Sequence, residues 1–217
     1  MLHLAPTDYS FPQKFFIEDF GAYRIGLEPS DWEPGPATAG AKFKIVADAA
    51  LPSGKGLQID KNTYVGNNYE PLYFERAGET ILDCEVLSLM KITVDPVLQK
   101  NMRAVGTRIS YWPGINGYFP LYNTQIDPAF GSAPSVRITK FTNGAKQEVA
   151  WLPRTYAVGD RIWSRIRAIG PHVRMKMWLD GTPEPLEWDL SYDDPSPLPQ
   201  GSVGLYIGGN GADPGPI

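Results

Sequence analysis

The sequence predicts an all-β protein built as a two-sheet antiparallel sandwich, and three observations carry that prediction. The run DRIWSRIRAIGPHVRMKMWLDG, Asp160 to Gly181, alternates on both sides of a Gly170-Pro171 turn. Ile162, Ile166 and Ala168 fall on one face and Arg161, Trp163, Arg165 and Arg167 on the other. After the turn, Val173, Met175, Met177 and Leu179 alternate with Arg174, Lys176 and Trp178. Successive side chains of a strand point to opposite faces, so this is a half-buried antiparallel hairpin. The second observation is Asn143-Gly144 between Phe141 and Lys146, two residue types that tolerate the positive φ of a tight hairpin turn. The third is the spread of 22 Gly and 21 Pro through 217 residues, which punctuates many short strands and leaves no room for long helices.

Taken in order, residues 1–14 hold two prolines and no periodicity, and they read as an arm lying on the body or on a neighbouring subunit. Residues 15–217 read as a single domain, because sandwiches of this length often form one unit. The first strand is expected at Phe15–Phe20, before a turn at Gly21. GLEPSDWEPGPATAG follows as a Pro-rich loop whose Trp32 plugs one end of the core. Lys42–Ala47 alternates, and Gly56–Ile59 and Leu72–Phe74 are short strands around an Asn-rich loop at Asn62–Tyr69. The longest strand-like run is Ile81–Ile92, with Leu82, Cys84, Val86, Met90 and Ile92 on one face. Strands recur at Arg103–Tyr111, Gly117–Tyr122, Ser135–Phe141 and Lys146–Leu152. After the 160–179 hairpin, Glu187–Leu190 reads as a short edge strand, and Pro195, Pro197 and Pro199 make an extended connector to Ser202–Ile207.

Composition excludes some functions. A net charge of −4 with scattered basic residues lacks the clustered Lys/Arg face that nucleic acid requires. No stretch reaches the roughly 18 apolar residues of a membrane span, and MLHLAPTDYSFPQKFF lacks a charged-then-apolar leader, so a soluble protein without Sec export is expected. Cys84 cannot form an internal disulfide, and it sits in an apolar alternating strand as a small buried hydrophobe.

The 160–181 hairpin, followed by Asp180-Gly181, by Glu184-Pro185-Leu186-Glu187-Trp188 and by the Gly-containing final strand Gly201–Ile207, resembles the back half of concanavalin A-like jelly rolls, the lectin/glucanase (LamG-like) group. The resemblance implies a jelly-roll sandwich. In the glucanase branch it also implies a strand with carboxylates at alternate positions. With the Pro-rich arm and the Asn/Gly/Pro-rich loops, the chain looks most like the jelly rolls of tailed-bacteriophage virions. That likeness implies a non-enzymatic decoration, tail or receptor-binding protein located in the virion. Its partners would be other virion subunits, including copies of itself, and cell-surface polysaccharide. Structural calcium occurs in this group near the first and last strands. Asp19 suits the first, but Asp213 lies among Gly and Pro, so neither a metal nor another cofactor is assigned.

Two segments could carry chemistry. Asp83 and Glu85 share one strand face, as the acid and nucleophile of a retaining glycoside hydrolase must, about 5–5.5 Å apart. Leu87 and Leu89 continue that face, where a glucanase or polysaccharide lyase cleft would stay polar, so a structural pair bonded to basic side chains is the competing role. The second segment runs from Tyr111 to Asn123. Tyr111, Trp112, Tyr118, Phe119 and Tyr122 supply flat rings for sugar C–H groups, and Asn116 and Asn123 supply amides for hydroxyls. The same rings could instead fill the core ends or a subunit interface. His3 and His172 are isolated, and there is no nucleophile elbow, phosphate loop or zinc spacing.

Overall fold

A computed structural model describes residues 21–27, 32–34, 42–60, 72–76, 81–92, 101–110, 114–123 and 134–209. The arm 1–14, the strand expected at Phe15–Phe20 and the loop Asn62–Tyr69 lie outside these residues. Among those described there are thirteen strands: β1 (Trp32–Pro34), β2 (Lys42–Ala47), β3 (Lys55–Asp60), β4 (Leu72–Arg76), β5 (Cys84–Lys91), β6 (Asn101–Ser110), β7 (Asn116–Asn123), β8 (Ser135–Thr142), β9 (Ala145–Pro153), β10 (Arg161–Ile169), β11 (His172–Leu179), β12 (Leu190–Asp193) and β13 (Ser202–Gly209). They form an antiparallel seven-stranded sheet in the order β1-β4-β13-β6-β7-β8-β9, a four-stranded sheet β12-β11-β10-β5, and the hairpin β2-β3. This is the concanavalin A-like jelly-roll arrangement.

Both expected hairpins form. Asn143 and Gly144 take φ of 51° and 85°, the paired positive values of a type I′ turn, and Thr142 sits opposite Ala145. Gly170 takes φ of 52° ahead of Pro171, whose ring holds φ negative, so the glycine supplies the left-handed position and β10 and β11 stay in register from Ile169↔His172 to Ile162↔Leu179. Period-2 alternation then builds the core. Ile162, Ile166 and Ala168 of β10 and Val173, Met175 and Met177 of β11 are buried against Tyr118 and Tyr122 of β7 and Val136 and Ile138 of β8. Val86 and Met90 of β5 pack against the same cluster. Each fully buried aliphatic side chain contributes roughly 1.5–3 kcal/mol.

The opposite face of β7 and β8 is buried as well. Ile109, Ile115, Phe119, Leu121 and Phe141 form a second apolar cluster, with Phe119 edge-on to Phe141 at 5.6 Å. These central strands therefore carry apolar residues on both faces, and strict alternation is lost along them.

Three elements differ from the sequence expectation. Trp32 lies in a strand and not in a loop: β1 pairs antiparallel with β4 and, among the described residues, ends the seven-stranded sheet, a position that tolerates Pro34. Leu82 does not join the inward face but is 57% exposed, because β5 begins only at Cys84. The edge strand starts at Leu190, not Glu187, because the residues before it are held by their side chains. Asp189 accepts the Met177 backbone N–H at 2.8 Å, and Arg154 donates to the Met177 carbonyl at 2.6 Å and to Asp189. These side chains occupy the edge of β11 beyond the last β12 pair, Met175↔Leu190.

Buried polar groups pin the two large sheets together. Arg108, 1% exposed, has φ of 53° where the β6–β7 register shifts between Thr107 and Ser110. Its guanidinium donates to the carbonyls of Leu82, Gly170 and Leu198 and to Asp83 at 3.0 Å. Asp194, which follows β12, accepts Lys140 of β8 at 2.9 Å, Tyr118 of β7 at 2.5 Å and the Ser196 N–H. Burial alone would raise the Asp194 carboxyl, but these hydrogen bonds outweigh it and hold the group below its ordinary value. Burial and Asp194 together push the Tyr118 phenol well above its usual range.

Two tests follow from this packing. Met177→Asp places an unpaired charge in the core and should lower stability by about 3 kcal/mol or more, whereas exposed Arg174→Ala should stay within about 0.5 kcal/mol, both read by urea unfolding. Asp194 has a depressed folded pKa, so its contribution is complete above the unfolded value of 3.8 and fades as pH falls through the lower folded value. Asp194→Asn should therefore destabilise the protein at neutral pH and flatten the loss of stability below about pH 4. An unchanged acid limb would remove Asp194 from that role.

Candidate functional site

The alternation that sends Ile162, Ile166, Met175 and Met177 inward sends a different set to the outer face of the four-stranded sheet. Register places Leu89, Trp163 and Trp178 in one row, Leu87, Arg165 and Lys176 in the next, and Glu85, Arg167, Arg174 and Ser191 in the third. The Trp163 and Trp178 rings stack at 6.3 Å and 20°, and the Trp163 indole N–H donates to Asp180 at 2.8 Å. Leu87 is 41% exposed.

Residues 184–189 form a strap across this face. Glu184 accepts Arg165 at 2.8 Å and pairs with Lys176 at 2.8 Å, and the Pro185 carbonyl accepts Lys176 at 2.6 Å. Arg167 and Lys176 each lie 5.0 Å from the centre of the Trp188 ring, a cation–π arrangement. Partial burial would raise the Glu184 carboxyl, but the hydrogen bonds from Lys176 and Arg165 hold it below its ordinary value, so the strap stays ionised at neutral pH. The result is a lattice of rings and fixed charges with little side-chain freedom left to lose on binding.

The candidate carboxylates enter two separate networks. Asp83 lies just before β5, where it accepts Arg108 at 3.0 Å and the Gly170 N–H at 2.9 Å. Glu85 lies on β5 and bonds both Arg165 and Arg167, the latter at 2.5 Å. Each is held by cations of this chain, the structural role weighed against catalysis. Cys84, beside them, bonds the Thr107 hydroxyl, and burial pushes its thiol up, which keeps it protonated and inert.

The residues of the 111–123 segment separate. Tyr118 and Tyr122 point into the core, where Tyr118 bonds Asp194 and the Leu198 N–H, and the Tyr122 oxygen accepts the Tyr156 N–H at 3.0 Å. Phe119 points the other way into the second apolar cluster. Asn116 bonds Ser110, the Gly114 carbonyl and the Asn143 N–H, which braces the β8–β9 turn. Asn123 is buried at 4% exposure. Strand alternation divides the three rings between two interiors, so they share no surface; Tyr111 and Trp112 lie outside the described residues, as do Asp19 and Asp213. Among the described residues no cluster of His, Cys, Asp or Glu could hold a metal.

Trp163, Trp178 and Trp188 were not singled out as a site from the sequence. The signal was present in the hairpin register: with a two-residue turn at Gly170-Pro171, Trp163 must sit opposite Trp178. No family model and no curated protein sequence matches this chain. Among solved structures, it is similar to the carbohydrate binding module CBM66 from Bacillus subtilis, at 16% identity over 82% of this chain and 88% of that one, with a TM-score of 0.56. Lectin II from Ulex europaeus aligns at 11% identity over 88% of this chain and 89% of that one, with a TM-score of 0.46. The globular domain of T. cruzi calreticulin aligns at 11% identity over 85% of this chain and 82% of that one, also with a TM-score of 0.46. The likeness to the Bacillus subtilis module is one of fold, and it agrees with the jelly-roll sandwich read from the strand order.

Proposed function

We propose that this protein is a non-catalytic carbohydrate-binding sandwich whose ligand lies on the outer face of the four-stranded sheet. The observation that carries the reading is the partly exposed Trp163 ring, backed by the buried Trp178 indole stacked against it and flanked by exposed Leu87, with the fixed charges of Arg165, Lys176, Glu85 and Glu184 at its border. Indole faces shed water against sugar C–H groups, and charges held in place bond hydroxyls without reorganising. The similar fold of a module named for carbohydrate binding supports the same reading. Hydrolysis has no support in Asp83 and Glu85, which a retaining mechanism would require to face one glycosidic bond.

The finer part of the proposal is a virion subunit that self-associates and carries this face to a cell-surface polysaccharide. Its support is the arm, whose Leu2, Leu4, Tyr9 and Phe11 gain little alone but can order against a neighbouring copy. Deleting residues 1–14 should then lower the mass of the assembly in solution while the circular dichroism spectrum stays β-type.

A glycan array with purified variants tests the binding. Trp163→Ala should reduce carbohydrate retention by about tenfold or more, the loss of one stacking face. Retention that survives Trp163→Ala but is lost in Trp112→Ala would move the platform to the 111–123 segment. Turnover of a polysaccharide that disappears in Glu85→Gln would replace the binding reading with a hydrolase.

A further inference from the structure

The third row of the outer face sets two like charges directly against each other. Arg167 of β10 faces Arg174 of β11, and Ser191 follows on β12. Opposed like charges on neighbouring strands are unfavourable unless something neutral or negative screens them. Arg167 is screened, since Glu85 and the Trp188 ring both contact it. Arg174 is not. It is exposed, and among the described residues no carboxylate pairs with it. Glu85 is committed to Arg165 and Arg167, Glu184 to Arg165 and Lys176, and Asp193 of β12 to His172 at 2.6 Å. A protein of net charge −4 thus presents on this face a guanidinium that no carboxylate among the described residues pairs with, directly opposite a second arginine that an indole ring contacts.

We infer that the glycan recognised by this face is acidic, with a carboxylate-bearing sugar seated at Arg174. The inference rests on the proposed carbohydrate reading and adds the chemical class of the ligand. A planar guanidinium matches a carboxylate through two parallel hydrogen bonds, a geometry that hydroxyl groups do not reproduce. Trp188 lies 5.0 Å from the guanidinium of Arg167, the residue directly opposite Arg174, and so supplies an aromatic ring to the same region of the face. Glu184 shows the same chemistry from within the chain, since its carboxylate already rests on Arg165 and Lys176 one row away.

Binding to polygalacturonate and to its fully methyl-esterified form, which keeps the sugar chain and removes the charge, tests the inference by titration calorimetry. The acidic polymer should bind about tenfold tighter at low salt, and the difference should shrink between about 50 and 500 mM NaCl as the charges are screened. Arg174→Gln should remove most of that advantage and leave binding of the ester unchanged. Its melting temperature should equal or slightly exceed the parent's, because the side chain is exposed and its loss relieves the repulsion with Arg167. Equal affinity for the two polymers, or an unaltered Arg174→Gln variant, would overturn the acidic class and leave the carbohydrate reading standing. If neither polymer nor any neutral glycan binds, both ideas fall. Binding to phosphatidylserine vesicles without binding to polygalacturonate would reassign the arginines to a membrane surface and end the proposal.

Discussion

The guanidinium of Arg108 is the constraint on which the sandwich depends. It projects from β6 of the seven-stranded sheet and reaches the Leu82 carbonyl before β5, the Gly170 carbonyl at the β10–β11 turn and the Leu198 carbonyl on the connector to β13. A buried cation is tolerated only when its donors are satisfied, so placing Arg108 also places three loops that would otherwise drift relative to the core. Asp83 completes the set by accepting both Arg108 and the Gly170 N–H. The left-handed backbone at Arg108 belongs to the same arrangement: it occurs where the β6–β7 register shifts, and a bulge re-aims a side chain that regular alternation would direct elsewhere.

Once Arg108 has claimed Asp83, Asp194 has claimed Lys140 and Tyr118, and Asp189 has claimed Arg154, the buried ionic groups that join the sheets have their partners. These contacts fix geometry more than they add stability, because desolvation offsets most of the attraction inside a protein. Their consequence for function is indirect. They engage Asp83 with Arg108 and the Gly170 N–H, in a network separate from the one Glu85 joins.

The hairpins were legible in the sequence because their signals are local. Asn143-Gly144 and Gly170-Pro171 set turn type and register by themselves, and the Ile/Met/Val alternation around them assigned the core face without long-range knowledge. Elements whose placement depends on distant partners were read less well. β1 exists because β4 is available to pair with Trp32–Pro34, and β12 begins at Leu190 because Arg154, some 35 residues earlier, reaches Asp189. Composition left the rings of the 111–123 segment open between a sugar platform and core filling, and for Tyr118, Phe119 and Tyr122 the strand's burial on both faces makes them core, Tyr118 and Phe119 serving different interiors. Trp163 and Trp178 looked like ordinary outward residues until the register set them against each other.

The outer face is hard to explain by stability alone. Its ion pairs are partly exposed, and such pairs contribute about 0–1 kcal/mol each. A solvated sheet face needs only polar residues, and Thr, Ser or Lys would serve it with less apolar surface left in contact with water. This face instead carries two partly exposed tryptophans, Trp163 and Trp188, an exposed leucine and two arginines in direct opposition, which is an unfavourable way to finish a sheet face. The strap resolves part of that cost by laying Glu184 and Trp188 over Arg165, Arg167 and Lys176. Among the described residues Arg174 pairs with no carboxylate, and under the proposed reading a sugar acid would bring a planar anion to that guanidinium and an apolar ring face to the neighbouring indoles in one molecule.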